Sequence, residues 1–440
     1  MTAPGHSQQR NRHDPFVALR QRHFLLYALG RLGSGTGAML LVAAIAWQVY
    51  DISGSAWQLG MIGLVRFIPS LGLGLVGGAV ADAFDRRRIT MAAQGVVLGA
   101  GAVLLGATLA GSESLPLIYA VAFVVSVAAA FEAPARGALL PSVVTPAAFP
   151  NAIVVSGTAQ QLGFVTGPAI AGAMIALSGP GLAYGVYCGL LGGSLVALAA
   201  LRPRKMDVAK RAVGVTAIRQ GISFVWHRHV LLGAMTLDMF AVIFGGATAL
   251  LPIYAHDILD VGPVGYGLLY GSLDLGALLM SVSLVVRPPI QRAGRALLVA
   301  VFLFGVGTIV FGLSRSFPLS LAACMFIGMA DQVSVVMRQT TVQINTPDDL
   351  RGRVTSVNML FIGASNQLGA VESGFVAAIT SATFAVVSGG AGCLAVLAVV
   401  AAKLPELGRY RVGQETHRAA AIDPGEPSPP PEDAPAPAQS

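Results

Sequence analysis

The sequence predicts an all-α polytopic membrane protein, with twelve transmembrane helices in two pseudo-symmetric six-helix bundles. Three observations lead there. Of the 440 residues 55% are hydrophobic and only 11% charged, with mean hydropathy +0.71, whereas soluble domains carry about 25% charged residues. Apolar runs of about 20 residues, long enough to cross a bilayer as helices, recur along the whole chain. The second half of the chain then repeats features of the first.

Taken in order, the spans fall near 23–49, 56–81, 89–110, 115–140, 151–177, 182–201, 230–254, 264–286, 296–314, 317–340, 355–380 and 382–402. Residues 1–22 are polar and basic, and the first apolar run has full membrane length without a small-residue cleavage site, so no cleaved leader is expected. With the amino terminus inside, 23 of the 28 Lys and Arg fall on the cytoplasmic side and Arg315 alone outside. Arg31, Arg66, Arg136 and Arg338 lie within spans or at their ends. This asymmetry predicts that both termini are cytoplasmic. The net charge of +7 therefore reports membrane orientation, and no nucleic-acid partner is expected.

The repeat appears in "DISGSAWQLGMIGLVR" (51–66) against "DILDVGPVGYGLLYGSLD" (257–274), and in Arg136 with Thr145-Pro146 against Arg338 with Thr346-Pro347. Two six-span halves of the same orientation are implied, with substrate bound between them at mid-membrane. The predicted organisation is a cytoplasmic segment 1–22, a first bundle 23–201, a linker 202–229, a second bundle 230–403 and a disordered cytoplasmic tail 404–440. The linker holds a possible amphipathic helix on the membrane surface, with Ile218, Ile222, Val225 and Trp226 on one side. The end of the tail is Pro-rich and acidic. Cys188, Cys324 and Cys393 sit singly in apolar runs and read as packed thiols without disulfide or metal role.

Gly72, Gly74 and Gly77 in "GLGLVGGAVADAFDRRR" (72–88) spell the dinucleotide-binding pattern G-x-G-x-x-G. That use needs a preceding strand and an acid about 20 residues on. Here the glycines lie inside an apolar run, and no acid occurs between Asp85 and Glu113. Gly74/Gly78 instead reads as G-x-x-x-G, which lets helix backbones approach closely in lipid. Gly33/Gly37, Gly163/Gly167 and Gly185/Gly189 repeat the spacing.

The stretch that follows, "GAVADAFDRRR", resembles the loop between spans 2 and 3 of the major facilitator superfamily. Gly78, Asp82, Arg86 and Arg87 match that loop; Ala83 and Asp85 replace its first basic residue and its second glycine. Asp tolerates the left-handed conformation that the glycine would adopt there. The resemblance implies Asp82 at the amino end of span 11, with Arg86 and Arg87 in a charge cluster that latches a cytoplasmic gate. "FEAPARGALLPSVVTPAAFPNA" (131–152) is similar to the span 4 end in the branch with enterobactin and macrolide exporters. "GFVTGPAIAG" (163–172) resembles the span 5 signature of proton-coupled antiporters, with Gly163, Gly167 and Pro168 forming a kink that either serves coupling or is purely structural. The resemblance covers residues 22–403 and implies a multi-pass protein of a bacterial-type inner membrane.

Ionisable groups in mid-membrane are costly and mark functional sites. They are Arg31, Arg66, Glu132, Arg136, Asp238, Asp274, Asp331, Arg338 and Glu372, the last either intramembrane or solvated near the outer surface. By the repeat, Arg66 corresponds to Asp274 and Arg31 to Asp238, so bases in one half occupy the places of acids in the other. Paired across a central cavity, they would form bridges that exchange as the halves rock; held singly, they would be static ion pairs. Asp274 and Asp238, then Glu132, are the expected proton carriers, because an arriving proton discharges a carboxylate in a dry cavity. Arg136 and Arg338 are expected to snorkel or to serve the gate. Gln160, Gln161, Asn366 and Gln367 are expected either as neutral cavity contacts or as inter-helix hydrogen bonds.

The expected function is export of an amphiphilic small molecule such as a siderophore, macrolide or other drug. Metabolite import and membrane sensing are the alternatives. The seven histidines, His6, His13, His23, His227, His229, His256 and His417, all lie away from span centres. Without a metalloprotease, nucleophile-elbow or phosphate-loop motif, neither enzyme activity, nor a metal, nor a cofactor is expected. Two six-helix halves suffice for a working monomer in the lipid bilayer, driven by an ion gradient and coupled to protons.

Overall fold

The computed structural model describes residues 17–204, 215–288 and 290–410, which hold helices and no strand. The first half runs α1 (Arg22–Ser53), α2 (Ala56–Ala83), α3 (Arg86–Leu109), α4 (Leu115–Leu139), α5 (Phe149–Ser178) and α6 (Pro180–Ala199). The second runs α7 (His229–Phe244), α8 (Gly262–Val286), α9 (Ala293–Leu313), α10 (Phe317–Ile344), α11 (Asp348–Ile379) and α12 (Ala382–Lys403). Ten segments of the described chain are long and apolar enough to cross a membrane. The other two long helices, α2 and α11, stand where the second and eleventh spans are expected.

Neighbour relations repeat with a shift of six helices. In the first half α1 packs on α5 and α6, α2 on α4, and α3 on α4 and α6. In the second, α7 packs on α11 and α12, α8 on α10, and α9 on α10 and α12. The two halves meet through α2 on α11 and α5 on α8, which the same shift exchanges. Two bundles of one design therefore face each other along a pseudo-twofold axis.

Small residues make these contacts possible, because lipid offers no hydrophobic drive between helices and van der Waals contact must do the work. A Cβ on Gly374 would fall 2.5 Å from the Gly60 Cα, and one on Gly267 would fall 2.5 Å from the Pro168 carbonyl oxygen. Within the first half, Gly163 and Gly167 face Thr36, each with space for a hydrogen only. Gly167→Val is therefore expected to force α1 from α5 and to destabilise the protein by about 1–3 kcal/mol, read as a lowered melting temperature in detergent. Other expected glycine pairs act differently. Gly77, not Gly78, meets the α4 backbone at Ala130, and Gly78, Gly185 and Gly189 face open space.

Local differences from the sequence reading have physical causes. Asp85 has φ −61° and serves as N-cap of α3, accepting from the Arg88 N–H at 3.0 Å, so no left-handed turn is used there. The segment expected as one seventh span breaks after Phe244. Gly245 ends the helix, and the chain continues through a 3-10 turn (Ala247–Leu250) to a π turn (Tyr254–Ile258). Non-helical backbone at membrane depth is tolerated where it is buried in protein or lines a cavity, and Gly245 and Gly246 do line one.

The linker helix (Val215–Trp226) packs on α11 and α7. Its predicted face divides: Val225 is buried among Leu231, Met235 and Val354, while Ile222 and Trp226 are exposed. The tail expected to be disordered from residue 404 stays ordered to Tyr410, and its remainder lies outside the described residues. Pro405–Arg409 is helical, Leu407 is buried beside Ala293 and Leu297, and the Asn345 amide donates to the Tyr410 hydroxyl at 2.7 Å.

Candidate functional site: a central cavity with segregated charge

Three connected lobes form one cavity between the bundles. The first lobe, about 280 Å³, lies against α1, α4 and α5, and shares Met39, Val42 and Arg66 with the middle lobe. The middle lobe, about 310 Å³, shares Thr248, Tyr270 and Asn366 with a third of about 300 Å³ inside the second bundle. Such volumes are typical of small-molecule sites.

The first lobe holds a closed ion network. The Arg136 Nη2 lies 2.8 Å from the Glu132 Oε1, one helical turn away on α4, and Arg136 also donates to the Ser34 hydroxyl. The Gln94 amide donates to the same Glu132 oxygen at 3.1 Å, and the Tyr27 hydroxyl donates to the Arg136 carbonyl at 3.2 Å. Arg31 donates to the Gln160 side-chain Oε1, and its Nε has no partner among the described residues. Glu132, an expected proton carrier, is thus the counter-ion of Arg136.

Asp238, also an expected proton carrier, is likewise paired with an arginine. It is buried outside the three lobes, with its Oδ1 3.2 Å from the Arg338 Nε, and the Arg338 Nη1 donates to the Asn358 Oδ1 at 2.7 Å. The Arg338 Nε has no hydrogen-bond partner among the described residues, so its contact with Asp238 is an ion pair. Arg136 is 6% exposed and Arg338 2%, so neither snorkels. The repeat-related pairs are not joined across the cavity either: each of these ion pairs closes within one half.

Three charges remain without an ion pair or side-chain hydrogen bond among the described residues: Arg66 in the middle lobe, and Asp274 and Asp331 in the third. Gly63 and Gly271 explain the placement of two of them. Gly63 packs against Gln367 and Ala370 of α11, and Gly271 against the Val165 carbonyl of α5. Arg66 and Asp274 lie one turn further along α2 and α8, at the wall of the cavity that those contacts border. Asp331, expected as an intramembrane charge without a stated role, corresponds by the repeat to the uncharged Ala129 of the first half. Asn366 and Gln367 line the cavity as expected neutral contacts; Gln161 instead crosses between the halves, its amide donating to the Asp274 carbonyl at 3.4 Å.

The gate residues divide. Arg86 donates to the Ala138 carbonyl at 3.0 Å and Arg87 to the Leu198 carbonyl at 3.1 Å, so both cap helix carboxyl ends in their own half. The Asp82 side chain lies outside what the structure describes.

A set of cross-half contacts that sequence reasoning missed joins the two halves at the end opposite the termini, where it would act as a seal. The Tyr50 hydroxyl donates to Asp257 across the two halves, and His256 Nδ1 lies 2.5 Å from the other Asp257 oxygen. The Trp47 ring lies tilted against Tyr266 at 5.5 Å between centroids, and the Tyr266 hydroxyl donates to the Ala43 carbonyl at 3.3 Å. The partners stand more than 200 positions apart, beyond any local signal. Removing the cross-half bond with Tyr50→Phe is expected to raise thiol labelling of a cysteine placed at Ala46, from that end, by about 2–10-fold. Unchanged labelling would show that the bond does not hold the seal.

A family model described as transmembrane secretion effector, within the major facilitator superfamily, matches residues 13–421. The chain belongs to the major facilitator superfamily. This transporter is 28% identical over 398 residues to the multidrug efflux pump Tap of Mycolicibacterium fortuitum, covering 87% of this chain and 96% of that one. It is 24% identical over 385 residues to the enterobactin exporter EntS of Escherichia coli O1:K1 / APEC, covering 87% and 92%. Among solved structures, a peptide transporter POT aligns with TM-score 0.71 at 12% identity over 88% of this chain and 95% of that one. A bacterial homologue of the human lysosomal transporter Spinster, in an inward-facing and occupied conformation, aligns with TM-score 0.70 at 13% identity over 89% and 98%. These structures bear on the fold alone, and the transporter fold they share is that of the two facing bundles.

Proposed function

We propose that this major facilitator superfamily transporter exports an amphiphilic small molecule in exchange for protons, by alternating access. The observation that carries the reading is the third lobe, where Asp274 and Asp331 face a cavity and neither makes an ion pair within 4 Å among the described residues. Carboxylates of that kind are neutralised by a proton or by an arriving group, and the two events compete. Glu132 and Asp238, each held by an arginine, are structural members of their bundles instead.

With the basic loops on the cytoplasmic side of an inner membrane, the Tyr50–Asp257 seal faces outward and the state is inward-facing. Rocking about the α2–α11 and α5–α8 contacts would then open the other side. Pro168 lies inside α5 beside Gly167 and Gly172, where α5 meets both α1 and α8, so a bend there would move one half against the other. Each molecule carries both bundles and works as a monomer. The relatives that export drugs and enterobactin support the direction.

Cells producing the protein should hold about 2–10-fold less of at least one compound among a macrolide, a catecholate siderophore and a lipophilic dye, an effect on the scale of ordinary coupling free energies. A protonophore should remove the difference. Higher accumulation, abolished by the protonophore, would instead establish uptake.

A further inference from the structure

We propose that the substrate is a zwitterionic amphiphile, bound with an oxyanion on Arg66 and a basic nitrogen against Asp274 and Asp331. This rests on the export reading of the same cavity and adds the chemical class of its cargo.

The argument begins with charges that lack partners. Arg136 has Glu132, Arg338 has Asp238, and Arg31 has Gln160. Arg66 has none among the described residues, although it stands about 15 Å into α2, ten residues from its start at about 1.5 Å each. A carboxylate in such a place escapes its cost by taking a proton; a guanidinium has no such route, since it stays charged in proteins. Arg66 thus calls for an anion, and its planar fork suits a carboxylate or phenolate that accepts two hydrogen bonds.

The second element is where the opposite charge lies. Asp274 and Asp331 occupy the adjoining lobe, and Tyr270 lines both lobes between them and Arg66. The cavity is therefore bipolar, positive toward the first bundle and negative toward the second. Phe304 and Phe311 add apolar wall on the negative side, and Met39 and Ile62 on the positive side, which suits a hydrophobic body between two charged ends. The polarity also serves exchange. A substrate cation entering the third lobe takes the place of protons on the two carboxylates, whereas a purely anionic cargo would bind best when the lobe is protonated and would travel with protons rather than against them.

The test uses the purified full-length protein and a rigid probe, a 2,6-disubstituted naphthalene with an acetate at one end and an aminomethyl group at the other. Its singly charged and neutral analogues replace either end with methyl or amide. Calorimetry in weak buffer should show the zwitterion binding about tenfold or more tighter than either singly charged analogue, as expected for charge-assisted hydrogen bonds, with proton release that the anion lacks. Arg66→Gln should reduce the zwitterion to the affinity of the cation, with Arg66→Lys retaining part of the difference. Asp274→Asn should reduce the proton release, since Asp331 remains in the lobe. Equal binding of all analogues to the unaltered protein, including binding of none, would overturn the proposal, as would an unchanged zwitterion preference in Arg66→Gln. Zwitterion preference without gradient-driven flux would sink export and leave this assignment; gradient-driven flux that ignores probe charge would do the reverse.

Discussion

Asp274→Asn eliminates gradient-driven transport while leaving the protein folded and able to exchange substrate across the membrane at equal pH. That is the expected result, and it follows from the position of the side chain. Asp274 lines the third lobe with no ion pair, while its backbone carbonyl accepts from Gln161 of α5. Asparagine preserves the shape and the main-chain bond and removes only the titratable oxygen. Counterflow of labelled substrate without a proton gradient should thus persist, reduced about tenfold or less by the loss of one charged contact, while accumulation against a gradient should vanish. Full gradient-driven activity in Asp274→Asn would remove Asp274 from the coupling step.

The second large effect concerns stability. Arg338→Leu should destabilise the protein by about 3–5 kcal/mol, because it leaves Asp238 as a buried charge without its counter-ion. Arg338 is 2% exposed and Asp238 6%, and the Asn358 side-chain Oδ1 loses its donor as well. Replacing both members together, Arg338→Met with Asp238→Leu, should restore much of the loss, since a buried ion pair contributes little net stability over packed apolar groups. Melting in detergent would read both. A double variant as unstable as the single one would mean that the pair does more than neutralise itself, and would favour a gate role for Arg338.

The architecture was largely legible in the sequence because its signals are long-ranged in number and local in form. Apolar runs, basic loops and repeated segments each report on one helix at a time, and the helices stand where those signals place them. The charged residues were legible as a set too, with Arg31 and Arg66 in one half at the places of Asp238 and Asp274 in the other. Their partners were not. The Arg136–Glu132 pair follows from four-residue spacing on one helix, yet the repeat drew attention to partners in the opposite bundle. Asp238 and Arg338 are 100 positions apart, and only the packing of α7 near α10 and α11 brings them together. The break in α7 has a local signal, Gly245-Gly246, which hydropathy averages away. The Tyr50–Asp257 seal has none, since it depends on how one half leans on the other.

The central claim is exchange of an exported compound for protons, and inverted membrane vesicles with an acid interior test it most directly. A pH-sensitive dye reports the gradient as siderophores, macrolides, dyes and the naphthalene zwitterion are added in turn. The account predicts that at least one compound collapses the gradient in vesicles holding the unaltered protein, and that the same compound has no effect with Asp274→Asn. A gradient indifferent to every compound in vesicles with folded protein, or collapsed equally by the Asp274→Asn variant, would contradict it.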